Sequence, residues 1–114
     1  KTIRKDNSLN KRLSDLLANS DLPLPDLQSA ADSLHLSARS LRRKLNEEGE
    51  SYSTIKANEL NNRAISLLQH SQYNMQKITA LLSYSDYKSF SRAFSKINQV
   101  SPSVFRKTLT SQKS

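Results

Sequence analysis

The stretch Leu34-His-Leu-Ser-Ala-Arg-Ser-Leu-Arg-Arg-Lys-Leu45 decides how this chain is read. Leu41 and Leu45 are four apart, so on a helix they share one face. Arg42, Arg43 and Lys44 fall between them, and Arg39 lies about one turn earlier, so the cations point away from the leucines. Ser37 is placed to cap such a helix, and the residues before it, His35-Leu36, form a short turn. Upstream, Leu27, Ala30, Ala31 and Leu34 stand at i, i+3, i+4 and i+7, with Asp26 as the cap just after Pro25. Two helices joined by a tight turn are the result, with a basic outer face on the second.

The same pattern returns further along. Met75, Ile78, Thr79 and Leu82 repeat the spacing of Leu27, Ala30, Ala31 and Leu34 at an offset of 48 residues. Asn74 is the cap, Ser83-Tyr84-Ser85 the turn, and Asp86 the next cap. Phe90 and Phe94, with Arg92 between them, repeat Leu41, Arg43 and Leu45 at an offset of 49. The second turn is one residue longer. Two helix-turn-helix units therefore form an internal repeat.

Other segments complete the pattern. Leu9, Leu13, Leu16 and Leu17 make an amphipathic stripe over about Ser8 to Asn19, closed off by Pro23 and Pro25. Gly49 ends the helix that contains the cations, where glycine adopts a left-handed conformation cheaply. Ser51 or Ser53 starts a long helix to about Gln69, with Tyr52, Ile55, Leu60, Ala64, Leu67 and Leu68 as its apolar residues. At about 18 residues it is roughly 27 Å long. The chain holds one glycine and three prolines, and it lacks alternating β-branched and aromatic runs. The expected fold is all-α: two helix-turn-helix lobes joined by a long linker helix, about seven helices in total. The divisions are residues 1–25 for a first helix and connector, 26–50 for the first unit, 51–70 for the linker helix, and 71–114 for the second unit with a C-terminal helix.

Bulk composition narrows the function. The chain has 114 residues, 35% of them hydrophobic, with no tryptophan and no cysteine. A disulfide framework and thiolate chemistry are excluded, and a reducing, cytoplasmic compartment is expected. No apolar run approaches the ~18 to 20 residues of a membrane span. The net charge is +8 and the pI about 10.0, which favours a polyanion as partner. His35 and His70 are the only histidines, and no nearby carboxylate has metal-ligand spacing. Neither catalysis, a metal nor a cofactor is expected. Glu47-Glu48 reads as a solvated helix end. Phe90, Phe94 and Phe105 read as core, and Tyr73 fits core or surface.

The basic residues fall on equivalent elements. Arg39, Arg42, Arg43 and Lys44 lie on the second helix of one unit; Lys88, Arg92 and Lys96 lie on that of the other. In DNA-binding helix-turn-helix units the second helix enters the major groove. A helical protein-interaction bundle, and non-specific nucleic-acid or RNA binding, are the competing readings. The first predicts scattered charge. The second calls for exposed aromatics, and only Tyr87 is well placed.

The residues also carry a resemblance. "AADSLHLSARSLRRKLNEEGESY" and "ITALLSYSDYKSFSRAFSKINQVSPSVFRK" resemble the DNA-binding domain of the AraC/XylS transcription regulators. The likeness covers roughly residues 26–107. It includes the Ser-Phe-Ser-Arg-Ala-Phe core and the Ser-Pro-x-x-Phe-Arg ending at Ser101 to Arg106. His35, Ser83 and Gln99 stand where the family usually has glycine, Leu60 where arginine is common, and Thr79 where alanine is usual. The resemblance implies seven helices and base-facing roles for Arg39, Arg42 and Arg43 in unit one. In unit two it implies them for Tyr87, Lys88, Ser89 and Arg92. Ser37, Lys44, Asn74 and Lys96 suit phosphates, the lysines as point charges and the others as helix caps. It further implies double-stranded DNA as partner, RNA polymerase as a second, and an N-terminal sensing or dimerisation domain in a longer regulator. The absence of an initiating Met fits that expectation. The expected function is sequence-specific binding by two recognition helices in successive major grooves of an asymmetric site.

Overall fold

A computed structural model describes residues 9–113. Among them are seven α-helices and no strand. They are α1 (Leu9–Ala18), α2 (Leu27–Ser33), α3 (Ala38–Glu47), α4 (Tyr52–His70), α5 (Met75–Leu81), α6 (Tyr87–Asn98) and α7 (Pro102–Lys113). Ser8, expected near the start of the first helix, lies outside the described residues. The chain forms two compact units, residues 1–59 and 60–114, whose boundary falls inside α4.

The caps lie where short polar side chains precede apolar periodicity. Asp26, Ser37, Asn74 and Asp86 each accept a backbone N–H three residues on, at 2.8–3.0 Å. Each satisfies one of the orphan amides that every helix start leaves open. Ser51 does the same for α4 and Ser101 for α7, both at 3.2 Å. Pro102 opens α7 at the position where its missing N–H costs nothing.

The first unit closes around leucine. Leu9, Leu13 and Leu17 from α1 meet Ala30 and Ala31 from α2, Leu41 and Leu45 from α3, and Ile55 from α4. Leu16, Leu27, Leu34, Leu36 and Tyr52 pack around that cluster. The two alanines on α2 let α3 approach closely, and α1 covers α3 from another side. The Tyr52 hydroxyl donates to the Pro25 carbonyl, which ties the start of α4 to the connector before α2. Burial raises the Tyr52 pKa, with a further contribution from the Asp26 carboxylate.

The second unit is built around aromatic rings. Phe90 and Phe94 are buried, and the rings of Tyr84, Phe90, Phe94 and Phe105 run in sequence at centroid distances of 5.5–5.9 Å. The two Phe90–Phe94 and Phe94–Phe105 contacts are edge-to-face, the arrangement that ring quadrupoles favour. Thr79 is buried where unit one has Ala31, and its hydroxyl donates to the Met75 carbonyl at 2.7 Å. The substitution of a hydroxyl into the core is thereby satisfied locally. Asn98 donates to Asn61 Oδ1 at 2.6 Å and so fastens the end of α6 to α4.

Among the described residues, three non-glycines have left-handed backbones: His35 at φ 62°, Ser83 at φ 69° and Gln99 at φ 63°. They are the three positions where the resemblance set glycine as the usual residue. His35 and Ser83 turn the two helix-turn-helix corners, and Gln99 ends α6. Gly49 follows α3 at φ 79°.

Candidate nucleic-acid interface

The orientation of α3 follows from its two buried leucines. Leu41 and Leu45 are fully buried, and with about 100° per residue their shared direction fixes every other side chain. Arg43 points about 180° from that direction and Arg39 about 140° from it. Arg42 and Lys44 lie on opposite flanks, each about 80° away. All four are exposed. On α6 the buried pair Phe90 and Phe94 sets the same frame. Arg92 takes the place of Arg43, Lys88 that of Arg39, and Lys96 that of Glu47. Lys88, Arg92 and Lys96 are exposed and succeed one another at intervals of one turn.

Not every candidate is equally open. Tyr87 is half-buried: its ring meets Phe90 edge-on at 6.1 Å, and its hydroxyl lies 3.0 Å from Ser103 Oγ on α7. Ser89 is also half-buried, and its backbone N–H donates to Asp86. Ser37 and Asn74 are exposed, with their side-chain oxygens taken by the caps they form.

Two acids sit at helix starts with lowered pKa. For Asp86 the main cause is the Ser89 backbone N–H, then the Ser89 hydroxyl, with the Arg92 charge adding to them. For Asp26 it is again the backbone N–H and hydroxyl of the serine three residues on, with Lys56 contributing.

Two interactions lay beyond the sequence reading. Glu48 is no mere solvated helix end: its carboxylate accepts the backbone N–H of Leu9 at 3.1 Å and of Asn10 at 3.0 Å. A carboxylate at a helix start satisfies orphan amides and favours the positive end of the dipole. Glu48 follows α3 directly, so it joins α1 to the end of that helix. Glu47 stays on the outer arc. The second interaction is Arg106, which donates to the carbonyls of Leu67, Leu68, Ser71 and Tyr73. It gathers the last turn of α4 and the segment leading to α5. The Ser-Pro-x-x-Phe-Arg run showed Arg106 by name; only the fold shows what it holds.

Among the described residues, no cluster of His, Asp or Glu is arranged to hold a metal, and no helix is long and apolar enough to cross a membrane. Tyr73 is on the surface, 44% exposed, with Lys77 Nζ 5.4 Å from its ring centre.

Comparisons with known proteins point one way. Residues 30–108 match a family model described as a helix-turn-helix domain. The ornithine utilization regulator of Pseudomonas aeruginosa is 34% identical over 105 residues, 92% of this chain and 31% of that protein. The crystal structure of the transcriptional regulator CdpR from the same species has a TM-score of 0.84 at 26% identity, covering 91% of this chain and 33% of that one. An AraC-type DNA-binding-domain protein from Chromobacterium violaceum shares the fold at a TM-score of 0.82 and 18% identity, with 96% of each chain covered. The chain thus spans about a third of the length of the first two. Its repeated helix-turn-helix units, basic second helices and family match together place it among the AraC-type helix-turn-helix domains, the DNA-binding domains of transcription regulators.

Proposed function

We propose that this domain binds duplex DNA sequence-specifically through α3 and α6, each set into a major groove. The observation that carries this is the equivalence of the two helices. In each, a buried pair four residues apart leaves one arginine, Arg43 or Arg92, aimed straight outward. Arg39, Arg42 and Arg43 on α3, and Tyr87, Lys88, Ser89 and Arg92 on α6, are the proposed base-facing residues. Ser37, Lys44, Asn74 and Lys96 are proposed at the phosphates. Arginine bridges guanine O6 and N7 with two hydrogen bonds and discriminates by about 1–3 kcal/mol.

The site is proposed to be asymmetric because the two helices differ in sequence. Along the chain, α4 is 19 residues, about 28 Å of helix, against about 34 Å for a turn of DNA. The part of the relatives outside the match supports a sensing or dimerisation domain in a longer regulator. RNA polymerase is the further partner that transcription control calls for, and the cytoplasm is the compartment where a bacterial regulator meets both.

Selection of bound duplexes from a random pool tests the proposal. Two unlike elements about one turn apart are expected. With the selected site in hand, Arg43→Ala relaxes the preference at one base pair, while Lys44→Ala weakens all sequences alike. Uniform weakening by Arg43→Ala with base preferences intact rules out α3 as a base reader through Arg43.

A further inference from the structure

The net charge is divided very unequally between the units. Residues 1–59 hold ten Lys and Arg against nine Asp and Glu, a net +1. Residues 60–114 hold eight against one, a net +7. Nearly all of the basic character that marks this chain therefore belongs to its second half. From this we propose that the units divide the work of binding. The second supplies most of the sequence-independent hold on phosphate, and the first supplies most of the choice of bases. The inference rests on the duplex-DNA reading above and goes beyond it by assigning the two contributions.

The placement of the charges carries the argument further. In the first unit several acids sit beside a cation or hold structure. Asp15 pairs with Lys11 at 3.4 Å, Asp26 caps α2, and Glu48 caps α1. Lys44 shares an open groove with Arg12, Glu47 and Glu48. At a distance these opposite charges largely cancel, and salt attenuates the small remainder over about 10 Å. What survives is local: Arg39, Arg42 and Arg43 on one helix, on fixed bearings. A weak field with three well-aimed forks suits reading, since a bidentate contact depends on position and a net field does not.

The second unit has the opposite character. Its single acid, Asp86, is held at the start of α6 by the Ser89 N–H. Lys77 on α5, Lys88, Arg92 and Lys96 on α6, and Lys107 on α7 are all exposed and spread over three helices. A dispersed excess of cations attracts phosphate whatever the base sequence. Of its four proposed base-facing residues only Arg92 is an arginine: Lys88 lacks the planar fork, the Tyr87 hydroxyl is engaged by Ser103, and Ser89 is half-buried.

The test uses two double variants of the whole chain that remove the same charge from different units: Arg39→Gln with Arg43→Gln, and Lys77→Gln with Lys96→Gln. All four side chains are exposed, and unchanged far-UV spectra and melting confirm folding. Affinity is measured for the selected duplex and for a scrambled one across a salt series. The lysine pair should weaken both duplexes by similar factors and flatten the log–log salt slope by about 2. The arginine pair should cut the selected-to-scrambled ratio by about 5- to 150-fold for each arginine–guanine bridge it removes. On scrambled DNA it should cost less than the lysine pair does. If the arginine pair weakens scrambled DNA as much as the lysine pair, or the lysine pair changes base preference, the division is wrong. If the unaltered chain does not distinguish the two duplexes at all, it is the sequence-specific reading itself that fails.

Discussion

Arg106→Ala gives the sharpest test of how the second unit is held together. The last four carbonyls of any helix lack partners within it. At the end of α4, Arg106 supplies two of them: Leu67 through Nη2 and Leu68 through Nε, both at 3.3 Å. The same guanidinium bonds the Ser71 carbonyl at 3.2 Å and the Tyr73 carbonyl, in the segment that leads to α5. The Leu67 carbonyl keeps the Ser71 N–H and hydroxyl as other donors, so it loses least. Hydrogen bonds from a charged donor contribute about 1.5–3 kcal/mol each, and bonds sharing one side chain do not add fully. Crediting about two full bonds at the low end gives an expected loss of roughly 3–4 kcal/mol. Out of a total stability of about 5–15 kcal/mol, that is enough to shift a denaturation midpoint far outside error. Arg106→Lys keeps the charge beside the negative end of α4 but lacks the planar fork, so it should recover less than half of the loss. Urea titration followed by far-UV circular dichroism measures both. Amide exchange should accelerate more in α5–α7 than in α1–α3. A loss under about 1 kcal/mol for the alanine variant, or equal stability of lysine and arginine there, would refute the assigned role.

Three further outcomes are expected. Glu48→Ala should cost about 0.5–2 kcal/mol in thermal or urea unfolding, the range for loss of a helix cap, with faster exchange at Leu9 and Asn10. Gln99→Gly should raise stability by about 0.5–1 kcal/mol, since a left-handed non-glycine backbone costs roughly 1–2 and the extra freedom of glycine returns part of that; Gln99→Ala should show no such gain. Asp26 and Asp86 have folded pKa values below their unfolded ones, so their caps contribute above about pH 4 and fade as pH falls through the lowered values. An acid titration of stability should show that loss, and Asp26→Asn with Asp86→Asn should flatten it.

Some of this molecule was written in local pattern and some was not. The buried stripes on α1 and α3, and the caps Asp26, Ser37, Asn74 and Asp86, depend on neighbours within one or two turns. Spacing alone reveals them. The repeat was readable for the same reason, because each copy encodes its own core. Glu48 and Arg106 are different. Their partners are 38–39 and 33–39 residues away, and no short-range signal links an acid after one helix to the first amides of another. The engagement of Tyr87 by Ser103 is equally non-local, at 16 residues. The left-handed turns sit between these cases: their positions were marked by the family's usual glycine, while the residues actually there, His35, Ser83 and Gln99, do not announce a positive φ. The charge division was present in the letters throughout. It became visible once the boundary inside α4 was known, because a count needs an interval.

The split on α3 between inward and outward residues bears on how such a protein diversifies. Leu41 and Leu45 are buried, Ser37 holds the helix start, and the side chains of Arg39, Arg42 and Arg43 are exposed. Replacements at those three positions are therefore close to neutral for stability, within about 0.5 kcal/mol for ordinary surface changes. On the proposed reading of α3 as a base reader, a lineage can drift among operators, and an engineer can randomise α3, without compensating changes in the core. On α6 the freedom is narrower, since Tyr87 is tied to α7 and packs on Phe90. New binding preferences should arise more readily through the first unit than through the second.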